Sequence, residues 1–409
     1  MGFRRALQVR PGAGPLLAQR TSDYTHGMDF QTSAPYTSAV DPRSRYATWV
    51  EVDLAAIEGN TRALVLMTDA RLMAVVKANG YGHGAIESAR AAARGGATWF
   101  GVGRPEEALE LRDSGLDQPI LVLSPAPKDT LEQLVARDVS ITVCDEGQIA
   151  AAAEAAQSQG SKAKTHLKLD TGMSRLGAAL GDAESVARSL HEHDAILFEG
   201  IFTHFARADE PEAQTSREQL KQFEDVLAQL GAAQLRPPIV HAANSAAVFA
   251  LKEAHFDMVR VGIALYGLQP SAQWSLPEEF RPALQWKSRL ARVRNLSAGT
   301  GVSYGHRYVT EDEERIGTVP VGYADGLRRT EGNQVLVGAR HVPVVGRVCM
   351  DLSMVQLDTV PEAEAGDEVV LIGNQGGAVI SAEQVADRWG TINYDVICGI
   401  DRRVPRLVG

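Results

Sequence analysis

Cysteine is scarce in this chain: Cys144, Cys349 and Cys398 are the only three among 409 residues. Widely spaced and odd in number, they exclude a disulfide framework and any cysteine-based metal site, and they point to a reducing cytoplasm. A positive charge balance is also missing, since 41 lysines and arginines face 51 aspartates and glutamates, leaving a formal charge of −10. That balance gives no support for a nucleic-acid or anionic-membrane partner. Long hydrophobic runs are absent, none reaching the ~18 residues of a membrane span. What is present is 44% hydrophobic and 22% charged, the composition of a soluble globular protein long enough for two cored domains.

Residues 1–45 are rich in Arg, Ser, Pro and Gly and show no hydrophobic periodicity. They read as a disordered extension, or as a stretch upstream of a true start at Met28. From 46 to 284, apolar runs of strand length alternate with Ala-rich segments of helix length. A first half-buried strand pattern, Trp49–Leu54, is followed by eight runs: Met73–Val76, Trp99–Val102, Ile120–Leu123, Ile141–Val143, His166–Leu169, Phe198–Thr203, Ile239–His241 and Met258–Ile263. Strands separated by helices imply βαβ units and a parallel sheet. Eight such units predict an α/β fold of the closed (β/α)8 TIM-barrel type. The runner-up is an open doubly wound sheet, but no Gly-rich dinucleotide fingerprint follows the first strand. From 285 to 409 the strand-like runs are joined by turns, with one short helix at Ala382–Arg388, which predicts a smaller, mainly β second domain.

In such a barrel, chemistry belongs at the C-terminal ends of the strands, and polar residues collect there. Lys77 closes the run Met73–Val76 and opens Lys77-Ala78-Asn79-Gly80-Tyr81-Gly82-His83-Gly84. A lysine so placed has an apolar-lined stem and an amine facing a cleft, where desolvation disfavours the ammonium form and leaves a nucleophile. The plain alternative is a surface lysine closing a strand. The fifth run carries Lys168-Leu169-Asp170-Thr171-Gly172-Met173-Ser174-Arg175, in which Lys168 and Asp170 could equally form a rim salt bridge. His204 follows the sixth run, Asn244 and Ser245 the seventh, and Arg260 lies in the eighth ahead of Gly262 and Ile263. A serine hydroxyl and glycine amides offer donors to a phosphate, while Asn244 or Ser245 also reads as a helix N-cap.

The stretch Met73–Gly84 resembles the cofactor-lysine signature of the alanine racemases, and the resemblance extends from Trp49 to Arg406. It implies pyridoxal 5'-phosphate as cofactor, held covalently by Lys77. It further implies that His204 lies against the cofactor ring and Arg260 faces the pyridine nitrogen. The phosphate would fall to Tyr81, Asn244, Ser245, Gly262, Ile263 and Tyr394. Arginine only donates hydrogen bonds, so that nitrogen stays unprotonated, which favours racemisation over transamination. By the same resemblance Lys168 is carbamylated and orients Arg175, which reaches cofactor and substrate. In the second domain, Gly301-Val302-Ser303-Tyr304-Gly305 matches the segment of the catalytic tyrosine. Gly346-Arg347-Val348-Cys349-Met350-Asp351 matches the one whose Met350 amide binds the substrate carboxylate, and Tyr323 falls near the entrance. The resemblance implies a homodimer with shared sites, in which the second domain completes the partner's barrel mouth. The implied activity interconverts L- and D-alanine through two bases, Lys77 and Tyr304, and supplies D-alanine for peptidoglycan. Arg260 precedes Val261-Gly262 where the family has Pro-Gly or a similar pair, a departure that leaves the side chain untouched. The nearest rival is a broader, serine-type racemase of the same fold. A decarboxylase is disfavoured by Arg260, and a non-catalytic cofactor carrier by the second domain.

Overall fold

The computed structural model describes residues 42–210 and 214–409. The reading of 1–45 as a disordered extension therefore lies almost wholly outside the described residues. Its last four, Pro42–Arg45, form a 3-10 turn.

Eight parallel strands make one sheet: β2 (Arg71–Val75), β3 (Trp99–Val102), β4 (Ile120–Val122), β5 (Ser140–Val143), β6 (Ala163–Lys168), β7 (Ile196–Phe202), β8 (Ile239–His241) and β9 (Met258–Val261). Their order, β8-β7-β6-β5-β4-β3-β2-β9, brings the ends of the sheet together as a barrel. Between β8 and β9 the seam is stitched by Asp257 N–H to Val240 O at 3.0 Å and Arg260 N–H to Ala243 O at 2.9 Å. The strands read as continuous apolar runs because helices cover one face and the barrel interior the other. Met73, Trp99, Leu121, Ile239 and Met258 form a separate inner core, and Trp99 meets His166 edge-on at 5.6 Å.

The covering helices are α1 (Leu54–Leu66), α2 (Lys77–Tyr81), α3 (Ala85–Arg94), α4 (Pro105–Asp113), α5 (Leu131–Ala136), α6 (Glu146–Ser158), α7 (Ala183–Glu192), α8 (Gln214–Ala232) and α9 (Ser245–Ala250). Their starts follow the expected chemistry. Asp53, Asp145 and Asn244 cap α1, α6 and α9 through side-chain oxygens, each accepting from a backbone N–H, an arrangement worth ~1 kcal/mol. Along α8 the buried positions Ser216, Gln219, Leu220, Phe223, Val226, Leu227 and Leu230 keep the i, i+3/i+4 spacing of a single inward face.

The first strand pattern belongs elsewhere than its place in the chain suggests. β1 (Thr48–Val52) pairs antiparallel with β10 (Leu284–Arg289) and parallel with β20 (Arg406–Val408). It thus enters a ten-stranded sheet with β11 (Arg292–Leu296), β14 (Glu314–Val319), β15 (Gln334–Val337), β16 (Arg340–Val345), β17 (Ser353–Gln356), β18 (Glu368–Gln375) and β19 (Ala378–Ile380). Trp49 and Trp286 are fully buried at this junction, where the Trp286 indole donates to Thr48 Oγ1 at 2.9 Å. A small hairpin, β12 (Gly301–Val302) with β13 (Tyr308–Val309), stands apart. Two helices, α10 (Ala382–Trp389) and α11 (Asn393–Cys398), return toward the barrel mouth. The apolar run Leu290–Val293, one of the turn-joined strand-like runs expected in 285–409, is split: Leu290 and Ala291 separate β10 from β11, and Arg292 and Val293 begin β11. Helix α11 escapes the sequence reading because its six residues are too few to show a period.

Candidate active site

The C-terminal ends of the barrel strands open onto a cleft of about 840 Å³. Its lining includes eleven of the expected residues: Lys77, Tyr81, Lys168, Arg175, His204, Asn244, Ser245, Arg260, Gly262, Ile263 and Tyr394.

Lys77 leaves β2 into a turn of unusual hand. Ala78, Asn79, Gly80 and Tyr81 all have φ between 52° and 61°, so α2 is left-handed. Ala78 and Tyr81 there cost ~1–2 kcal/mol each, and Asn79 less because asparagine tolerates this region; such strain persists only where surrounding contacts hold it. Glu107 supplies them: its carboxylate accepts from the N–H of Ala78 at 2.6 Å and of Gly103 at 2.7 Å. Asn79 Oδ1 accepts from Ala85 N–H at 3.1 Å. The turn tucks Tyr81 beneath the cleft, 5.2 Å from the Tyr266 ring and 6.1 Å from that of Tyr394. A Cβ on Gly262 would lie 2.3 Å from the Tyr81 hydroxyl, so the hydroxyl can occupy this spot only because residue 262 is glycine. Ser245 Oγ accepts from Gly262 N–H at 3.0 Å. Asn244 is the N-cap of α9, accepting from Ala247 N–H at 3.0 Å.

Four cationic side chains surround one cavity. Burial, and then Arg175, lower the Lys77 pKa from the ordinary lysine range against the opposing pull of Glu107. Lys168 is only 6% exposed; burial first, then Arg260 and Arg175, pull its amine down to about 8. Burial brings Arg260 down to about 9, which leaves it charged at neutral pH. Its NH2 group donates to Thr203 O at 2.8 Å, Ala242 O at 3.0 Å and His204 Nδ1 at 3.2 Å, while NH1 donates to His241 Nδ1 at 3.1 Å. Burial, and then these cations, hold His204 well below its ordinary value. It is therefore a neutral imidazole, and the hydrogen it accepts at Nδ1 leaves its own proton on Nε2. Burial raises Tyr81 and Tyr394 above the usual phenol range, so both remain protonated donors. Fixed positive charge with neutral donors at the other end suits an anionic, phosphate-bearing ligand.

Tyr304, Tyr323 and Met350 do not line this cleft. They are 66%, 45% and 54% exposed, yet their segments are tied to one another. Ser303 Oγ donates to Arg347 O at 2.6 Å, and the N–H groups of Tyr323 and Ala324 donate to Cys349 O and Met350 O, both at 3.0 Å. Ser303 and His306, flanking Tyr304, have φ of 64° and 42°.

Three supporting residues escaped the sequence reading. Glu107 has no signal beyond its place at the start of α4. Gln219 holds the strand-end loops, with Oε1 accepting from Ala206 N–H and Nε2 donating to His204 O and Thr171 Oγ1. A polar residue on the apolar face of α8 was its available signal. Cys398, read in the sequence only as one of three widely spaced cysteines, lines the cleft with Lys77. Among the described residues no group of three or more His, Cys, Asp and Glu side chains is arranged to hold a metal ion, and no helix is long and apolar enough to cross a membrane.

A parallel barrel with lysines, arginines and an imidazole at its mouth, joined to a mainly β sheet, defines a barrel enzyme with a cationic ligand site. Residues 52–270 match the family model for the alanine racemase N-terminal domain and residues 283–408 that for the C-terminal domain. The alanine racemase of Symbiobacterium thermophilum is 47% identical over 365 residues, 88% of this chain and 97% of that one. Alanine racemase 1 of Bacillus subtilis is 42% identical over 366 residues, 88% of this chain and 92% of that one. Among solved structures, alanine racemase from Bacillus anthracis with bound L-Ala-P superposes with a TM-score of 0.85 at 40% identity, covering 89% of this chain and 95% of that one. The enzyme from D-cycloserine producing Streptomyces lavendulae gives 0.84 at 39% identity, covering 89% and 97%. The chain belongs to the alanine racemase family.

Proposed function

We propose that the chain interconverts L- and D-alanine with pyridoxal 5'-phosphate as cofactor, using Lys77 and Tyr304 as two bases on opposite faces of Cα. The carrying observation is the pairing of Lys77 with Arg260 across one cleft. A desolvated amine lies at one wall, and a donor-only guanidinium with no carboxylate among its hydrogen-bond partners lies at another. The residues fit the cofactor at both ends. Tyr81, Ser245, Gly262, Ile263 and Tyr394 would hold the phosphate, with the Tyr81 hydroxyl in the place that glycine at 262 leaves for it. When bound, the cofactor supplies an electron sink that acidifies the substrate α-proton. Arg260 would donate to the ring nitrogen and keep it unprotonated. A weak sink favours return of the α-proton over transamination. Lys77 Nζ would hold the cofactor and move a proton on one face, and Arg175 would pair with substrate. Lys168, lowered to about 8, carries a sizeable neutral amine fraction near neutral pH, which is the form that takes up carbon dioxide. Its carbamate would be an acceptor for Arg175.

The second base would come from another copy of the chain. Tyr304, Tyr323, Met350 and Leu352 are exposed side chains of the second domain, which supports a homodimer whose sites are completed across the interface. We place the domain limits at 46–284 and 285–409, with β1 contributed by the first segment to the second sheet. Three free cysteines suit the cytoplasm, where D-alanine would enter peptidoglycan precursors. The test is α-proton exchange and racemisation across a panel of L-amino acids with added cofactor. Alanine should lead the panel. Absence of alanine racemisation by a cofactor-loaded dimer would overturn the reading, and equal turnover of serine would replace it with the broader racemase.

A further inference from the structure

Arg260 sits at the head of a chain of hydrogen bonds that runs away from the cleft through the barrel interior. Its NH1 donates to His241 Nδ1 at 3.1 Å. His241 Nε2 meets His166 Nδ1 at 2.9 Å, and His166 Nε2 meets Glu199 Oε2 at 3.1 Å. Ser140 Oγ donates to the same carboxylate oxygen at 2.5 Å. Both imidazoles are fully buried.

The two ends of this chain dictate every proton between them. Arginine can only donate and an ionised carboxylate can only accept. His241 Nδ1 must therefore be an acceptor, which puts the His241 proton on Nε2. That proton is donated to His166 Nδ1, so the His166 proton is also on Nε2 and points at Glu199. One arrangement satisfies all four groups, with both histidines neutral. The state of His241 agrees, since burial and then Arg260 hold it well below its ordinary value. For Glu199, burial is the largest influence and raises the carboxyl pKa, but the interactions with His166, the hydrogen bond from Ser140 and the charge of Lys164 together outweigh it and leave the carboxyl below its usual range.

The local backbone is shaped for this chain. Thr165 pairs with Phe198 and His166 with Gly200, so the ladder between β6 and β7 skips Glu199. Such a bulge re-aims one side chain, here toward His166. A Cβ on Gly200 would lie 2.3 Å from His166 Nδ1; glycine leaves the imidazole its place. Phe202 stacks on His241 at 4.7 Å and 9°, which fixes the plane of the ring that receives Arg260.

We propose that Glu199 is a remote positioning residue for the reaction, fixing the proton arrangement of His166 and His241 so that Arg260 keeps an acceptor behind it and its orientation toward the cofactor. The buried guanidinium otherwise hydrogen-bonds carbonyl oxygens and neutral imidazole and overlies the Phe202 ring at 5.2 Å, and Glu199 is the carboxylate that closes its hydrogen-bonded path. This rests on the proposed role of Arg260 at the ring nitrogen.

The experiment uses the full-length, cofactor-loaded protein labelled with 15N-histidine. Long-range 15N–1H correlations should show His166 and His241 neutral with the proton on Nε2. Glu199→Gln removes the charge that makes this end acceptor-only, and its amide can turn Nε2–H as well as Oε1 toward His166. The single tautomer pattern should give way to a mixture and kcat should fall roughly 10–100-fold, the range known for partners behind metal-bound ligands, with KM for alanine little changed. Glu199→Asp, which keeps the charge, should recover the pattern and most of kcat. A proton on Nδ1 or a charged ring at either histidine in the parent protein would overturn the proposal, and needs no variant to be seen. So would Glu199→Gln with altered tautomers and unchanged kcat, or with both unchanged. Should the parent prove inactive toward alanine, the functional reading falls, while the tautomers still decide the hydrogen-bonded chain.

Discussion

Replacing Gly262 with alanine places a methyl carbon 2.3 Å from the Tyr81 hydroxyl and 2.8 Å from its Cζ. Ordinary contact begins near 3.4 Å, so the hydroxyl must retreat by about 3.4 − 2.3 = 1.1 Å. Tyr81 has little room, being 8% exposed and packed against Tyr266 and Tyr394. A displacement of that size breaks any hydrogen bond the hydroxyl makes to a bound phosphate. Hydrogen bonds to charged groups are worth ~1.5–3 kcal/mol, roughly a 10- to 140-fold change in Kd. The assay titrates apoprotein with pyridoxal 5'-phosphate and, separately, with pyridoxal, following cofactor absorbance. Gly262→Ala should weaken the phosphorylated ligand by that factor and leave pyridoxal within about threefold. Tyr81→Phe should show the same selective loss without the steric insult. Thermal melting separates the two, because overpacking costs ~1–3 kcal/mol in the alanine variant alone. An unchanged affinity ratio between the two ligands in both variants would refute the phosphate cradle.

Mixing Lys77→Ala with Tyr304→Phe subunits should regain activity, because heterodimers carry one intact site; no recovery under conditions of demonstrated subunit exchange would refute the shared site. In deuterated water, Tyr304→Phe should still wash the α-proton out of D-alanine with retention, while exchange from L-alanine falls roughly 10²–10⁴-fold. Comparable washout from both enantiomers would leave Tyr304 a positioning group. For Lys168 the pKa is lowered to about 8 in the folded protein from ~10.4 unfolded, so the unfolded chain binds the extra proton between those values and stability rises with pH across them. Lys168→Met, in bicarbonate-free buffer, should therefore be most stabilised relative to its parent below pH 8 and lose that advantage toward ~10.4, read from melting curves. A difference that does not vary with pH would mean the amine is not desolvated.

The sequence by itself determined the local chemistry. Eight apolar runs at helix-length spacing set the barrel, since a strand buried on both faces needs uninterrupted apolar residues. The residues placed at their C-terminal ends, from Lys77 to Arg260, meet at one mouth for the same reason. What the tertiary structure alone decided is everything that depends on distant segments meeting. Trp49–Val52 reads as a barrel-side strand in order of sequence, yet it pairs with β10 and β20, because edge pairing is satisfied by whichever strand is adjacent in space. The left-handed turn at Ala78–Tyr81 contradicts the propensities of two of its four residues, Ala78 and Tyr81, and depends on Glu107 to hold it. His166, Glu199 and His241 carry no shared motif; only closure of β6, β7 and β8 into neighbouring staves aligns their protons. Tyr304, Tyr323 and Met350 were legible as a set, and the fold gathers their segments, but one chain leaves them exposed. A sequence specifies which groups can donate, accept or stack; which of them face each other is set by backbone closure over tens to hundreds of residues, where no local pattern reaches.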